Sequence, residues 1–140
     1  MRIKNARLIE VPLRADHRGK LIFVEGGNQI PFNIQRVFCV LDVPEEEIRG
    51  EHAHKRNQQL HICLAGSITF SLDDGRDKED VTLTNNSMAL YTGPLVWHDL
   101  KNWKQNTILL VLNSIGYEEE EYIRNYAEFM DVIRSTKSPG

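Results

Sequence analysis

The chain has 140 residues, of which 41% are hydrophobic and 26% charged, and its formal net charge is −3. One domain spanning residues 1–140 fits that length, and the acidic balance excludes a nucleic-acid partner held by bulk charge. No apolar run reaches the ~20 residues of a membrane span, and the opening residues lack a signal-peptide core, so a cytoplasmic protein is expected, with Cys39 and Cys63 as buried free thiols.

The predicted elements are short. Residues 6–12 read as a strand ended by Pro12. A polar turn from Arg14 to Gly19 leads into a strand over Leu21, Ile22, Phe23 and Val24, which leaves through Gly26-Gly27-Asn28. Residues 36–43 are rich in β-branched and aromatic side chains and stop at Pro44. A solvated acidic loop ends at Ile48. Leu60 to Leu64 is a strand, and Ala65-Gly66-Ser67 turns it into ITFSL, where Ile68, Phe70 and Leu72 alternate with Thr69 and Ser71. Asp73-Asp74-Gly75 is a hairpin-type turn. Residues 80–84 alternate again, and Asn85-Asn86-Ser87 turns the chain into MALYT. After Gly93-Pro94 comes LVWHDL. Residues 107–113 are almost continuously apolar, as in a strand covered on both faces.

Only the end has helical spacing. Tyr122, Tyr126, Phe129, Met130 and Ile133 recur at three and four residues, with Glu118 to Glu121 placed in the first turn, at the positive end of the helix dipole. A frayed tail from Ser135 to Gly140 follows. About ten short strands and one C-terminal α-helix describe an all-β sandwich or barrel.

Chemistry concentrates in RGEHAHKRNQQLHICLAG, Arg49 to Gly66. His52 and His54 are two apart, so on an extended strand both imidazoles enter one cavity while Glu51 and Ala53 face away. Gly50 and Gly66 allow tight bends. Converging histidines can ligate a metal through neutral nitrogens, or they can move protons near neutral pH. Alternatively they only satisfy hydrogen bonds at a barrel rim. The flanking charges of Arg49, Lys55 and Arg56 are a lot of polarity for a structural turn.

The spacing itself resembles a known pattern. His52-x-His54, four residues, Gln59, six residues and Gly66 resemble the first cupin motif. His98, three residues and Asn102 resemble the second, with its preceding Pro-x-Gly altered to Gly93-Pro94. That implies a cupin-type jelly roll. A metallo-cupin wants a carboxylate where Gln59 stands, and a neutral amide is a poorer ligand for a divalent cation. His52, His54 and His98 still compose a set that zinc could use, so a metal-dependent enzyme stays open beside a metal-free one, as does a sugar-binding module without chemistry.

A closer resemblance covers most of the chain. RGEHAHK, then Gln59, GSITFSLDDG, LYTGPLVWHDL and EEEYIRNYAEF are similar to the nucleotide-sugar 3,4-ketoisomerase family, as are Asp16 to Leu21 and Ile30 to Val37. Its members act on dTDP-4-keto-6-deoxy-D-glucose in deoxyamino-sugar pathways, such as those of O-antigen lipopolysaccharide. The resemblance implies a metal-free enzyme with no cofactor, consistent with Gln59 replacing the carboxylate. It gives His52 the role of base at C3 and His54 that of passing a proton between the C3 and C4 oxygens, unless the two exchange roles. It offers Arg36, Arg49 and Lys55 for the pyrophosphate and Arg18, Gln59, Tyr91 and His98 as further substrate contacts. Trp97 could also touch the sugar or the thymine, though core packing is favoured for it. Arg18 and His98 point to the branch with a galacto-configured product. The family also implies a homodimer with exchanged N-terminal strands. His61 shares the strand parity of Gln59 but lies outside the motif. Phe38-Cys39 departs from relatives that carry tyrosines, which removes any phenol from that strand.

Overall fold

Alternating side chains throughout the chain demand sheets with one covered face, and the computed structural model delivers them. It describes residues 1–85 and 87–136. Asn86 of the expected turn and residues 137–140 of the expected tail lie outside the described residues. In chain order the strands are β1 (Ala6–Glu10), β2 (Leu13–Asp16), β3 (Gly19–Ile22), β4 (Arg36–Leu41), β5 (Arg49–His54) and β6 (Gln59–Ala65). They continue with β7 (Ser67–Asp73), β8 (Lys78–Thr84), β9 (Met88–Thr92), β10 (Trp97–Lys101), β11 (Ile108–Asn113) and β12 (Tyr122–Ile123). One helix, α1 (Tyr126–Thr136), closes the described chain.

Two five-stranded sheets result, ordered β1-β9-β6-β11-β4 and β12-β5-β10-β7-β8, with β2 and β3 as a separate hairpin. Every strand pairing is antiparallel. Between the sheets lies the main core, with Ile68, Phe70, Leu72, Leu83 and Leu100 from one sheet against Leu90, Leu109 and Val111 from the other. Trp103 seals it at 1% exposure, its indole N–H donating to the Leu100 carbonyl. The chain between β3 and β4 folds over the outside of the first sheet, where Ile30 and Phe32 cover Leu60, Ile62, Ala89 and Leu112. The expected cupin-type jelly roll with one C-terminal helix is what the chain forms.

Two glycines are required by geometry. Gly66 turns β6 into β7 at φ +80°, and a Cβ there would lie 2.3 Å from Thr107 Oγ1. Gly50 has φ +81°, and a Cβ would lie 2.8 Å from the His98 carbonyl oxygen.

Two expectations are corrected. Helix α1 begins at Tyr126, not at Glu118. Asn125 starts it, its carbonyl accepting from the Phe129 N–H at 2.9 Å and its side chain capping the Glu128 N–H at 3.0 Å. Glu119–Glu121 form a 3-10 turn instead, and Tyr122 and Ile123 pair with His54 and Ala53 of β5. The apolar positions there satisfy both periods, and sheet pairing wins over helical propensity. Second, Cys39 is exposed while Cys63 is buried. On β4, an edge strand, Arg36, Phe38 and Val40 are half-buried, and Val37, Cys39 and Leu41 alternate outward.

Candidate active site

The site is built where β5 crosses β10. His52 lies directly opposite His98, and the register then slips so that Gly50 faces Asp99. Glu51 is the extra residue, at φ +57°. Such a bulge re-aims the neighbouring side chain, and here it sets His52 beside His98, ring centroids 4.8 Å apart. His54 follows on the same face, 4.9 Å from His52 by centroid, while Ala53 packs with Trp97 and Phe129 on the other side. The expected parity of the pair is therefore observed. From the facing sheet, β6 contributes Gln59 and His61, both nearly fully buried. A cavity of about 500 Å³ opens there, lined by His52, Gln59, His61, His98, Tyr122, Arg36, Arg49 and Arg124 among others.

The imidazoles of His52, His54 and His98 are each held by Nδ1. His52 Nδ1 lies 2.9 Å from the Gly50 carbonyl and His98 Nδ1 3.1 Å from the Val96 carbonyl. A carbonyl only accepts, so both rings carry the proton on Nδ1 and offer a lone pair at Nε2. His54 Nδ1 pairs with Glu121 instead. His61 differs, its Nε2 lying 3.0 Å from Thr92 Oγ1. Burial, and then the neighbouring His54, push His52 down to about 4. Burial, followed by the other imidazoles, also pushes His61 down to about 3 and holds His98 well below its ordinary range. These three rings rest neutral at pH 7.

The remaining proposed contacts divide. Arg36 and Arg49 reach the cavity, and Arg36 lies over the rings of Phe38 and Tyr117. Lys55 is exposed and does not line it. Tyr91 points to the outer face of its sheet, against Phe32, with its hydroxyl donating to Gln58. Arg18 sits on the β2–β3 hairpin, paired with Asp16 and away from the histidines. Trp97 packs against Tyr126 and Phe129, as the core-packing expectation held.

The sequence reading missed Tyr122, Arg124, His61 and Glu121. Tyr122 packs against His52 and His54 at 5.0 and 4.6 Å, and Arg124 covers its outer face at 4.2 Å. The helical spacing hid Tyr122, since a stripe residue is ordinarily core, and Arg124 read as an exposed charge on the same expected helix. For His61 the signal was present, because its parity matches Gln59.

The donor set can be tested against a metal. Ligand nitrogens of His52, His54 and His98 are spread over 4.8 Å. Two nitrogens on one zinc ion sit about 3.4 Å apart, and cannot exceed about 4.2 Å. Gln59 adds only a neutral amide oxygen, a poor ligand for a divalent cation, although its Oε1 has no hydrogen-bond partner among the described residues. The one buried carboxylate at the cluster, Glu121, stands behind His54 on its Nδ1 side. The arrangement does not fit a metal without the rings closing in.

A two-sheet jelly roll whose polar pocket converges imidazoles defines a cupin-type enzyme suited to proton transfer. Comparisons agree. Residues 4–134 match the family described as FdtA: WxcM-like, C-terminal. The chain is 42% identical over 118 residues to a TDP-4-oxo-6-deoxy-α-D-glucose 3,4-oxoisomerase from Aneurinibacillus thermoaerophilus, covering 84% of this chain and 85% of that one. A histidine-to-asparagine variant of the 3,4-ketoisomerase QdtA from Thermoanaerobacterium thermosaccharolyticum, in complex with TDP-4-keto-6-deoxyglucose, matches with a TM-score of 0.94 and 36% identity, covering 98% and 99% of the two chains. A tyrosine-to-arginine, arginine-to-histidine double variant of QdtA, in complex with TDP, matches with the same TM-score and coverage at 38% identity. The chain belongs to the FdtA, WxcM-like family of sugar 3,4-ketoisomerases.

Proposed function

We propose that the chain converts dTDP-4-keto-6-deoxy-D-glucose to a dTDP-linked 3-keto-6-deoxyhexose. The observation that carries this is the convergence of His52 and His98 on a cavity large enough for a hexose, with the His54 ring packed against both. His52, the histidine of the pair that lines the cavity, takes the proton from C3, made acidic by the C4 carbonyl. An enediolate forms. His54 passes a proton from O3 to O4, and the C3 proton returns at C4. The ketone at C4 is reduced and the C3 alcohol oxidised within one molecule, so no external electron acceptor is needed. Arg36 and Arg49 at the cavity suit the pyrophosphate, since guanidinium pairs phosphate oxygens bidentately. The substrate-bound QdtA relative, a histidine variant, supports the assignment of a histidine to the chemistry.

Arg18 and His98 favour a galacto-configured product, and the QdtA double variant acquires the same pair of residue types, arginine and histidine. In one chain Arg18 lies away from the histidines, so this reading needs a homodimer with exchanged N-terminal strands. Two features support that state. The β2–β3 hairpin stands apart from both sheets with Leu13 and Leu21 exposed, and Val37, Leu41 and Leu64 are exposed as well. A second copy is the occupant that such surfaces call for. The reaction would take place in the cytoplasm.

The test incubates the protein with dTDP-4-keto-6-deoxyglucose and a 3-aminotransferase that traps the labile 3-keto product. A galacto-configured aminosugar is expected. A gluco product would overturn the role given to Arg18 and His98, and no aminosugar, with no solvent deuterium entering the sugar, would leave a binding module. Light scattering should report twice the chain mass.

A further inference from the structure

One buried acid at the site has no part in that scheme. Glu121 is 3% exposed and lies 67 residues from His54 in sequence, yet its Oε1 is bonded to His54 Nδ1. Its other oxygen, Oε2, accepts the backbone N–H groups of Lys55, Arg56 and Asn57 at 3.0, 3.0 and 3.2 Å. Successive amides converging on one oxygen make a nest for an anion. Burial pulls the carboxyl pKa up, but the His54 bond and the Arg56 and Asn57 amides outweigh it and hold the group below its ordinary value.

An anionic carboxylate only accepts. Whenever the His54 ring carries a single proton, that proton must therefore sit on Nδ1, with the lone pair on Nε2. That Nε2 is buried and has no hydrogen-bond partner among the described residues. His52 and His98 share the tautomer, but neutral carbonyls set it. Of these three imidazoles, only His54 has an anion behind its ring. A ring that must gain and lose a proton in one turnover is the one that benefits, because the carboxylate steadies its imidazolium.

We infer that Glu121 is the positioning residue of the reaction: it fixes His54 with its proton on Nδ1 and Nε2 turned to the sugar oxygens. Glu121 touches neither the sugar nor the reacting atoms and acts through His54. Nε2 takes the proton from O3, making the ring an imidazolium, and then gives it to O4, while the Nδ1 proton stays between the ring and Glu121.

This rests on the ketoisomerase reading, and the experiment separates the two. Glu121→Gln keeps an oxygen for the three amides but turns an NH₂ group toward His54. The ring must then accept at Nδ1, and its proton moves to Nε2. Nitrogen-15 NMR of the substrate-free protein should show His54 protonated on Nδ1 in the wild type and on Nε2 in the variant. Turnover should fall about 10²-fold or more, with KM and TDP affinity unchanged. Glu121→Asp keeps the charge and should recover part of the loss, and it carries the test if Glu121→Gln does not fold. The inference is overturned by a switched tautomer with full kcat, by loss confined to KM, or by a wild-type His54 protonated on Nε2. Wild-type protein with the expected tautomer but no turnover would overturn the ketoisomerase reading, and with it the role of Glu121 in this reaction, while the pairing itself stands.

Discussion

His61 and Phe70 touch across the interior, ring centroids 4.8 Å apart, and mark a border between two regions. On one side Ile68, Leu72, Leu83, Leu90 and Trp103 fill the space between the sheets with apolar volume. On the other, His52, His54, His98, Gln59 and Asn113 line or surround an open cavity. Both regions come from strands with the same alternation, and several strands serve both. β6 gives Gln59 and His61 to one and Cys63 to the other, and β10 gives His98 and then Leu100. Burying imidazoles and amides costs free energy unless each finds a partner. The apolar end supplies the stability that lets the polar end remain unfilled.

This division predicts that the two ends fail differently. The largest effect is expected from His52→Asn. It removes the proposed base while keeping a polar side chain, so conversion of the 4-keto substrate should fall by at least about 10³-fold with an unchanged circular dichroism spectrum. Retained activity would move the base to another imidazole. Next comes Phe70→Ala, at the apolar end. It should cost about 3–5 kcal/mol in urea unfolding through the cavity it leaves, while the folded fraction still binds TDP with wild-type affinity. A loss of TDP affinity without loss of stability would erase the boundary.

The border residue itself gives a smaller effect, visible in pH. His61 ordinarily titrates near 6.5 and is pushed down to about 3 by burial and then by the nearby imidazoles. As pH falls through that window, the unfolded chain takes up a proton that the folded chain refuses. Stability is therefore full above about 6.5 and declines below it. His52 and His98 act in the same direction. The urea midpoint should drop between pH 7 and pH 5, and His61→Leu should flatten that slope without abolishing it. The smallest effect expected is none. Dialysis against a strong chelator should leave turnover unchanged, whereas loss restored by zinc or iron would mean that the three rings do close on a cation.

Much of this was legible in the residues. The parity of His52 and His54, the strand runs and the turns at Asp73-Asp74-Gly75 and Gly66 follow from local rules, because each depends on neighbours two or three residues away. Asp74 Oδ1, for instance, caps its own turn by accepting from Arg76 and Asp77 at 2.8 Å. Long-range choices were not legible. Glu121-Tyr122-Ile123 carries spacing that suits a helix, and only the free edge of β5 turns it into a strand. Cys39 sits in an apolar run, yet it stands on the exposed side of β4, an edge strand. Tyr91 and Arg18 match motif positions, but a motif does not say on which side of a sheet, or in which copy of the chain, a side chain will stand.

The bond between His54 and Glu121 also has a consequence for how the molecule is made. On a ribosome, the histidine pair emerges and β5 can pair with β10 before Glu121 has been synthesised. Contacts so distant along a chain form late and slowly. A nascent or stalled chain ending before Glu121 would hold both rings but lack the carboxylate behind His54, so on the proposed role of Glu121 full turnover would report that synthesis has run almost to the helix.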